Sequence, residues 1–348
     1  MNRRTLLLLG AAAIATVGGA LVLTPETAQQ GPAPGAQGGL AFEGLAERLQ
    51  GASRIEISKH DAKLELQRRG EAWVLPAKGG YPVRPERVRE LLVGLTELRL
   101  AEARTSDPTQ FDRLGVDDPM NAGSTALLLR VLDAQGGAIA ELIIGRRRVR
   151  TQGNVPESVY VRRPGQNQSW LAEGRLPADA DPQLWLDRDI ANLPHGRIRR
   201  VTVQRKDQPV LVLLRGEEAE AKLRLAEPAE APPSDEVTLD EIGRAFEFLT
   251  FIDVKPAAEI PGTALGESRF ELADGSAITV APHKDGDTLW IRLRAEGGEE
   301  AKGLDARWQG WAYQVGAWKE KAFIPRPEDL AARQSAAQPG ATEAEPAR

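Results

Sequence analysis

The chain has 348 residues, 41% of them hydrophobic and 27% charged, with a net charge of −5 and no cysteine. The balance is that of a globular protein, and the length allows about two domains. A basic footprint for nucleic acid is absent, and the lack of cysteine excludes disulfides, thiolate catalysis, zinc–thiolate sites and a lipid-bearing cysteine.

The chain opens on MNRRT, short and basic, and an apolar run follows from Leu6 to Leu23 with Thr16 as its only polar member. As a helix this run would span about 27 Å at ~1.5 Å per residue, close to the ~30 Å hydrocarbon core. Arg3 and Arg4 orient it N-in and C-out by the positive-inside rule. Residues 1–23 are therefore predicted to be an uncleaved signal-anchor helix in the inner (cytoplasmic) membrane, single-pass, with the bulk of the chain extracytoplasmic. The competing reading is a cleaved signal peptide, which has a shorter apolar stretch and a small-x-small site. Gly18-Gly19-Ala20 offers such a site, but LVL would then begin the mature chain, and cutting after Ala28 leaves Glu26 at the minus-three position. The arginine pair also resembles a twin-arginine export signal, although no cofactor site is visible that would need folding before export.

Residues 24–52 read as a flexible tether rich in Pro, Gly, Gln and Ala, followed by a short amphipathic lead-in. Beyond it the chain reads as two tandem copies of one α+β unit, 53–193 and 197–326, joined by Pro194-His195-Gly196. Ile55 and Ile57 alternate as in a half-buried strand, and Val201 and Val203 do the same at an offset of 146 (201 − 55). Leu64 and Leu66, then Arg69-Gly70-Glu71, then Trp73 and Leu75 predict a hairpin. Val210, Val212 and Leu214, then Arg215-Gly216-Glu217, then Leu223 and Leu225 predict another at the same offset, each with a glycine where the turn needs positive φ.

The helices come next. In RVRELLVGLTELRL, residues 87–100, Val88, Leu91, Leu92, Leu95 and Leu98 share one face. In EIGRAFEFLTFIDV, residues 241–254, Ile242, Ala245, Phe246, Leu249 and Ile252 repeat the pattern at an offset of 154 (242 − 88). PAEAPPSD, residues 228–235, accounts for the eight extra residues. Pro85 suits the first turn of the first helix, and Thr238 with Glu241 forms a capping-box pattern for the second. Hairpins follow each helix: Leu127, Leu129 and Val131 lead through Asp133 and Gly136-Gly137 to Ile139, and Phe270 and Leu272 lead through Asp274-Gly275 to Ile278 and Val280. VYVRR at 159–163 resembles LWIRLR at 289–294. Each copy is predicted to be an antiparallel sheet with one packed amphipathic helix. Residues 327–348 are small and polar and read as a disordered tail.

Candidate chemistry is sparse. His60, His195 and His283 are the only histidines, and none has a neighbour at metal-ligand spacing, so each reads as a solvated loop residue. There is no Gly-x-Ser-x-Gly elbow, no phosphate loop and no His-Glu-x-x-His. Acidic pairs such as Asp117-Asp118 and Glu299-Glu300 read as loop residues, and a glycosidase pair of carboxylates has no support. Arg146, Arg147, Arg148 and Arg150, with Arg162 and Arg163 on the next strand, form the one dense basic cluster. It reads as a charged strand edge or as a contact for anionic lipid or glycan. Trp290, Trp308, Trp311, Tyr313 and Trp318 gather near the end. Trp308 and Trp311 are candidates for a sugar-stacking platform or partner hot spot, while the alternation of Trp311, Tyr313 and Val315 favours a core strand.

GYPVRPERVRELLVGLTELR, FDRLGVDDP at 111–119, LLLRVLDAQGGAIAELIIG at 127–145, VYVRR and WLDRDIANLP at 185–194 together resemble a bacterial domain-of-unknown-function family. The resemblance implies a protein anchored by one N-terminal helix, of a kind often encoded beside gliding-motility-type ABC transporter components. It covers nearly all of copy one and, more loosely, copy two, which lacks the Tyr-Pro-Val lead and the Leu-Gly-Val-Asp segment. It brings no catalytic residues. The expectation is a non-catalytic extracytoplasmic accessory protein without cofactor or metal, binding a protein partner of a membrane transport complex and no nucleic acid. The alternative is a cell-wall glycan-binding or glycan-cleaving module.

Overall fold

A computed structural model describes residues 38–148, 157–216, 221–229 and 234–331. The predicted anchor over 1–23, most of the tether, Arg150, Glu217 of the second hairpin turn and the tail from 332 lie outside the described residues. Among the described residues no helix is long and apolar enough to cross a membrane.

The chain is α+β, mostly antiparallel sheet with a few helices. In its first half the strands are β1 (Arg54–Lys59), β2 (Ala62–Arg69), β3 (Ala72–Leu75), β4 (Tyr81–Pro82), β5 (Arg99–Ala103), β6 (Leu127–Leu132), β7 (Ala138–Arg148), β8 (Ser158–Arg162) and β9 (Ser169–Glu173). In its second half they are β10 (Asp189–Ala191), β11 (Ile198–Arg205), β12 (Leu211–Arg215), β13 (Leu223–Glu227), β14 (Leu249–Thr250), β15 (Asp253–Pro256), β16 (Thr263–Ala264), β17 (Gly266–Leu272), β18 (Ala277–Asp285), β19 (Thr288–Glu296) and β20 (Trp311–Val315). The helices are α1 (Leu45–Arg48), α2 (Pro85–Glu97), α3 (Phe111–Leu114), α4 (Glu236–Gly243), α5 (Glu299–Trp308), α6 (Glu320–Phe323) and α7 (Pro327–Leu330).

Two compact units divide the chain, and they do not follow the linear split at 193/197. The first is Met1–Lys63 with Arg89–Ala180, and the second is Leu64–Val88 with Asp181–Arg348. Residues 64–88 group with the second unit because Tyr81 of β4 packs edge-on against Phe251, Trp311 and Tyr313, with ring centroids 5.5, 4.9 and 6.3 Å away. An ion pair of 2.6 Å between Lys78 and Asp253 fastens the same segment.

In the first unit the sheet runs β1-β6-β7-β8-β9-β5, antiparallel throughout. Ile55, Ile57, Leu129 and Val131 are buried, as the alternation predicts. The lead-in is packed rather than free: Phe42 and Leu45 are buried, and Ala41 N–H donates to Leu98 O at 2.7 Å. Helix α2 starts at Pro85 as expected and ends at Glu97, three residues before the predicted end, where β5 takes over. Its buried face holds Val88, Leu91, Leu95 and the following Leu98, whereas Leu92 is only half-buried. Gly94 replaces Leu92 on that face, because the backbone at Arg175 passes so close that an added Cβ would lie 2.2 Å from its carbonyl oxygen. Apolar periodicity has no means of registering a glycine contact of this kind.

In the second unit the main sheet runs β13-β12-β11-β17-β18-β19-β20-β15, with β16 beside β18, and β10 pairs with β14. Val201, Val203, Phe270, Leu272, Ile278 and Val280 are buried as predicted. The first predicted turn has Gly70 at φ 61, but Gly216 does not take the left-handed conformation. The predicted alternation of Val210, Val212 and Leu214 also shifts: Leu211, Val212 and Leu213 are buried and Val210 is 43% exposed. Residues 327–330, read from sequence as part of the tail, form α7, and Leu330 is 1% exposed. Glu299 and Glu300 open α5 instead of lying in a loop, and His283 lies within β18.

The predicted helix over 241–254 is corrected most. Helix α4 covers only Glu236–Gly243, and its N-cap is Asp235, whose carboxylate accepts from Thr238 N–H at 3.2 Å, so Thr238 sits inside the helix. After Gly243 the groups that would prolong the helix are claimed elsewhere. Ala245 O accepts from the Lys319 ammonium (2.8 Å), Phe246 O accepts from Leu193 N–H (3.1 Å), and Phe248 N–H donates to Asn192 Oδ1 (3.1 Å). A helix cannot propagate once its i→i−4 partners are committed. Ala245, Phe246 and Leu249 still reach the core, but Ile252 is 49% exposed.

Candidate functional site

The predicted basic cluster does not assemble as one surface. Arg146, Arg147 and Arg148 are exposed at the far end of β7, and Arg147 donates to Leu176 O at 2.8 Å. Arg162 pairs with Ile143, four residues along from Arg147, and is 8% exposed. Its Nε donates to Val116 O at 2.7 Å and its guanidinium lies 4.6 Å over the Phe111 ring. Burial pulls its pKa down. Arg163 lies 4.7 Å over Phe42 and donates to Ala41 O. These two arginines tie the FDRLGV segment and the lead-in to the first unit.

The candidate tryptophan pair divides by exposure. Trp308 is 1% exposed, and its indole N–H donates to Ile190 O at 3.1 Å. Trp311 is half-buried against Tyr81. The Tyr81 and Tyr313 phenols are buried in the same cluster, and burial pushes both pKa values up.

The exposed tryptophan is Trp318, at 71%. It follows β20 in the turn Ala317–Lys319, and its position is held on two sides. Gly316 leaves room for the indole edge, since an added Cβ would lie 2.3 Å from Nε1. The Lys319 ammonium sits 4.8 Å from the ring centroid. Trp318, Val237, Ala317 and Thr238 line a cleft of about 750 Å3 whose other side chains are charged. Four are basic (Arg205, Lys284, Lys321, Arg326) and four acidic (Asp235, Glu241, Glu320, Asp329). Glu320 accepts from Arg205 at 3.0 Å and from Lys284 at 2.7 Å. Asp329 accepts from Arg326 at 2.9 Å, with Lys321 at 3.6 Å.

Lys319 connects this cleft to the turn after α4. It is 7% exposed, its ammonium donates to Ala245 O, and burial pulls its pKa down against the pull of Glu247 and Glu241. In the same turn Glu247 accepts from the backbone N–H of His195 (3.0 Å) and from Arg244 (3.0 Å), and lies 2.8 Å from His195 Nδ1. Phe248 ends the turn with φ 46 and is 79% exposed. A left-handed conformation is uncommon for a bulky residue and costs about 1–3 kcal/mol, and here no burial offsets it.

Burial alone would raise the Glu320, Asp329 and Glu247 carboxyls. Lys284 and Arg205, Arg326, and His195 with Arg244 respectively outweigh it and hold each pKa below its ordinary value. A carboxylate with a depressed folded-state pKa adds stability that is present above its unfolded value, ~4.3 for Glu and ~3.9 for Asp, and is lost as pH falls through the folded value. The unfolding midpoint in urea is therefore expected to fall from about pH 5 downwards. Glu320→Gln should flatten that fall, and an unchanged acid limb in Glu320→Gln would remove Glu320 from the account.

The sequence held signals for both exposed aromatics. The alternation of Trp311, Tyr313 and Val315 ends before Trp318, which places Trp318 outside the strand. Phe248 lies off the face shared by Phe246 and Leu249. Neither signal says that the fold would hold the ring in the open. Among the described residues no group of three or more His, Cys, Asp or Glu side chains is placed to hold a metal ion.

No curated protein matches the chain, and no solved structure matches it. The sequence model for the domain of unknown function DUF4340 matches residues 73–266, more than half of the chain and reaching from β3 to the start of β17, and the chain belongs to that family.

Proposed function

We propose that this protein is a membrane-anchored extracytoplasmic accessory protein that docks a protein partner of an ABC-type transport system without catalysing a reaction. The anchor reading rests on the apolar run Leu6–Leu23 behind Arg3 and Arg4. The transporter association rests on the family resemblance of the sequence. The docking reading rests on Phe248, a large apolar side chain presented to solvent at the expense of backbone strain. Phenylalanine, like the other aromatic residues, is enriched at protein interfaces relative to the rest of the surface. We also propose that residues 53–193 and 197–326 are diverged tandem copies, supported by the matched burial of Ile55 with Val201 and of Ile57 with Val203.

Photo-crosslinking from position 248 in intact membranes tests the docking reading. We expect capture of a transporter component that position 63, also exposed, does not capture. An excess of the native chain should compete the capture away and a Phe248→Gly chain should not, while Phe248→Gly should raise stability by about 1 kcal/mol, because glycine adopts positive φ without steric cost. Capture of no transporter component, or a destabilised Phe248→Gly, would make Phe248 a structural residue and sink the reading. A second reading, a module that binds cell-wall glycan, is favoured by Trp318 and its cleft.

A further inference from the structure

The Trp318 cleft has four features that together select a ligand class. Its aromatic surface is open, since one side of the indole faces the Lys319 ammonium while 71% of the residue stays exposed. Its orientation is fixed by the space at Gly316, so little side-chain freedom remains to be lost on binding. Its ionic side chains balance, four basic against four acidic. Its volume, about 750 Å3, lies in the range of small-molecule sites.

We infer that this cleft binds a neutral saccharide, stacked on Trp318 and hydrogen-bonded through its hydroxyls to the Glu320 and Asp329 ion pairs. The inference rests on the reading of the chain as a binding protein. A pyranose ring has an apolar face of C–H groups and a rim of hydroxyls, each both donor and acceptor. The apolar face suits a fixed indole, whose ring offers a broad apolar surface with a polar N–H at its edge. The rim suits paired ions. The carboxylates of Glu320 and Asp329 accept, Arg205, Lys284 and Arg326 donate, and a hydroxyl can take both roles without breaking either pair.

The charge balance disfavours an anionic phosphate or lipid headgroup, because the acidic half of the lining opposes what the basic half attracts. An apolar peptide anchor lacks walls, since apart from Trp318 only Val237 and Ala317 among the lining residues carry apolar side chains. A charged peptide side chain would have to displace a partner from an existing ion pair.

The test uses the full chain extracted from membranes. The probes are the N-acetylglucosamine trimer, maltotriose, vesicles of phosphatidylglycerol, and isolated cell-wall sacculi in a co-sedimentation arm. Among the described residues Trp318 is the one exposed tryptophan, and Trp73, Trp170 and Trp311 are half-buried, so the difference in acrylamide quenching between the native chain and Trp318→Ala reports on Trp318. We expect at least one trisaccharide to protect Trp318 from quenching and to bind saturably by calorimetry. Trp318→Ala should weaken binding at least tenfold with an unchanged thermal midpoint, and Glu320→Gln should weaken it less. Protection of the native Trp318 keeps the inference testable should a variant fold poorly. Sedimentation with sacculi but not with the trimers would still support it if Trp318→Ala abolishes it, and would assign the polymer as the source. Binding only to vesicles, or saccharide binding unchanged in Trp318→Ala, overturns the inference and leaves the docking at Phe248 untouched. Release of new reducing ends lost in Trp318→Ala would support the saccharide site and overturn the non-catalytic reading.

Discussion

Trp308→Ala is expected to lower the stability of the second unit by about 3–5 kcal/mol. The residue is 1% exposed at the C-terminal end of α5, a ten-residue helix in which only Ala301 and Trp308 are buried. Removing the indole leaves α5 with a single methyl group in the core. It also removes the hydrogen bond to Ile190 O, although Arg307 donates to the same carbonyl and keeps it satisfied. Trp308→Phe should therefore cost much less than the alanine variant, with packing volume as its main term. For a unit of this size one kcal/mol moves the melting midpoint by about 2–4 °C, so the alanine variant should melt roughly 6–20 °C lower. A shift below about 2 °C would show that Trp308 does not anchor α5, and would reopen it as a surface residue available to a ligand.

Phe246→Ala is expected to cost about 3–5 kcal/mol as well. Phe246 is fully buried, with its ring centroid 4.9 Å from that of Phe270 at 82° and 5.6 Å from that of Phe323 at 55°. Phe270 and Phe323 meet edge-on at 6.4 Å, which closes the triangle. Such aromatic pairs contribute about 0.5–1.5 kcal/mol beyond area burial. The three rings come from the turn after α4, from β17 and from α6, so the deletion loosens three elements at once. Phe246→Ala combined with Phe323→Ala should cost less than the sum of the two, because the second truncation removes contacts already lost. Full additivity in denaturant midpoints would show that the rings do not act as one cluster.

These two residues also mark how far the sequence could be read. The spacing of Phe246 from Ile242 and Leu249 places it in the core, and burial follows that spacing even though the helix stops at Gly243. Periodicity reports which side chains face inward. It is blind to the partners from outside the helix, Lys319, Leu193 and Asn192, that take over its backbone groups. The strands were legible for the same reason: Ile55, Ile57, Val201 and Val203 alternate because one sheet face is buried. Val210 misled because both faces of β12 are covered around Leu211, Val212 and Leu213, where a period of two carries no signal. Less of the site is legible in the sequence. Proximity in sequence grouped Arg146 with Arg162, and Trp308 with Trp311, although exposure separates the members of each pair. Trp318 stands out only once the space at Gly316 and the Lys319 ammonium fix it over the cleft.

The grouping of Leu64–Val88 with Asp181–Arg348 has a consequence for how the protein is made. Tyr81 completes its aromatic cluster with Tyr313, which follows it by 232 residues (313 − 81). At about 5–20 residues per second, the ribosome delivers that partner on the order of 10–50 s after Tyr81 emerges. Until then β3 and β4 must wait with Val74, Tyr81 and Val83 uncovered, while the first unit has all of its own residues at hand once Ala180 has emerged. The two units are thus interleaved in synthesis. The first closes across residues 64–88 before the second can, so chaperones would meet those residues as an exposed hydrophobic segment for most of the chain's synthesis.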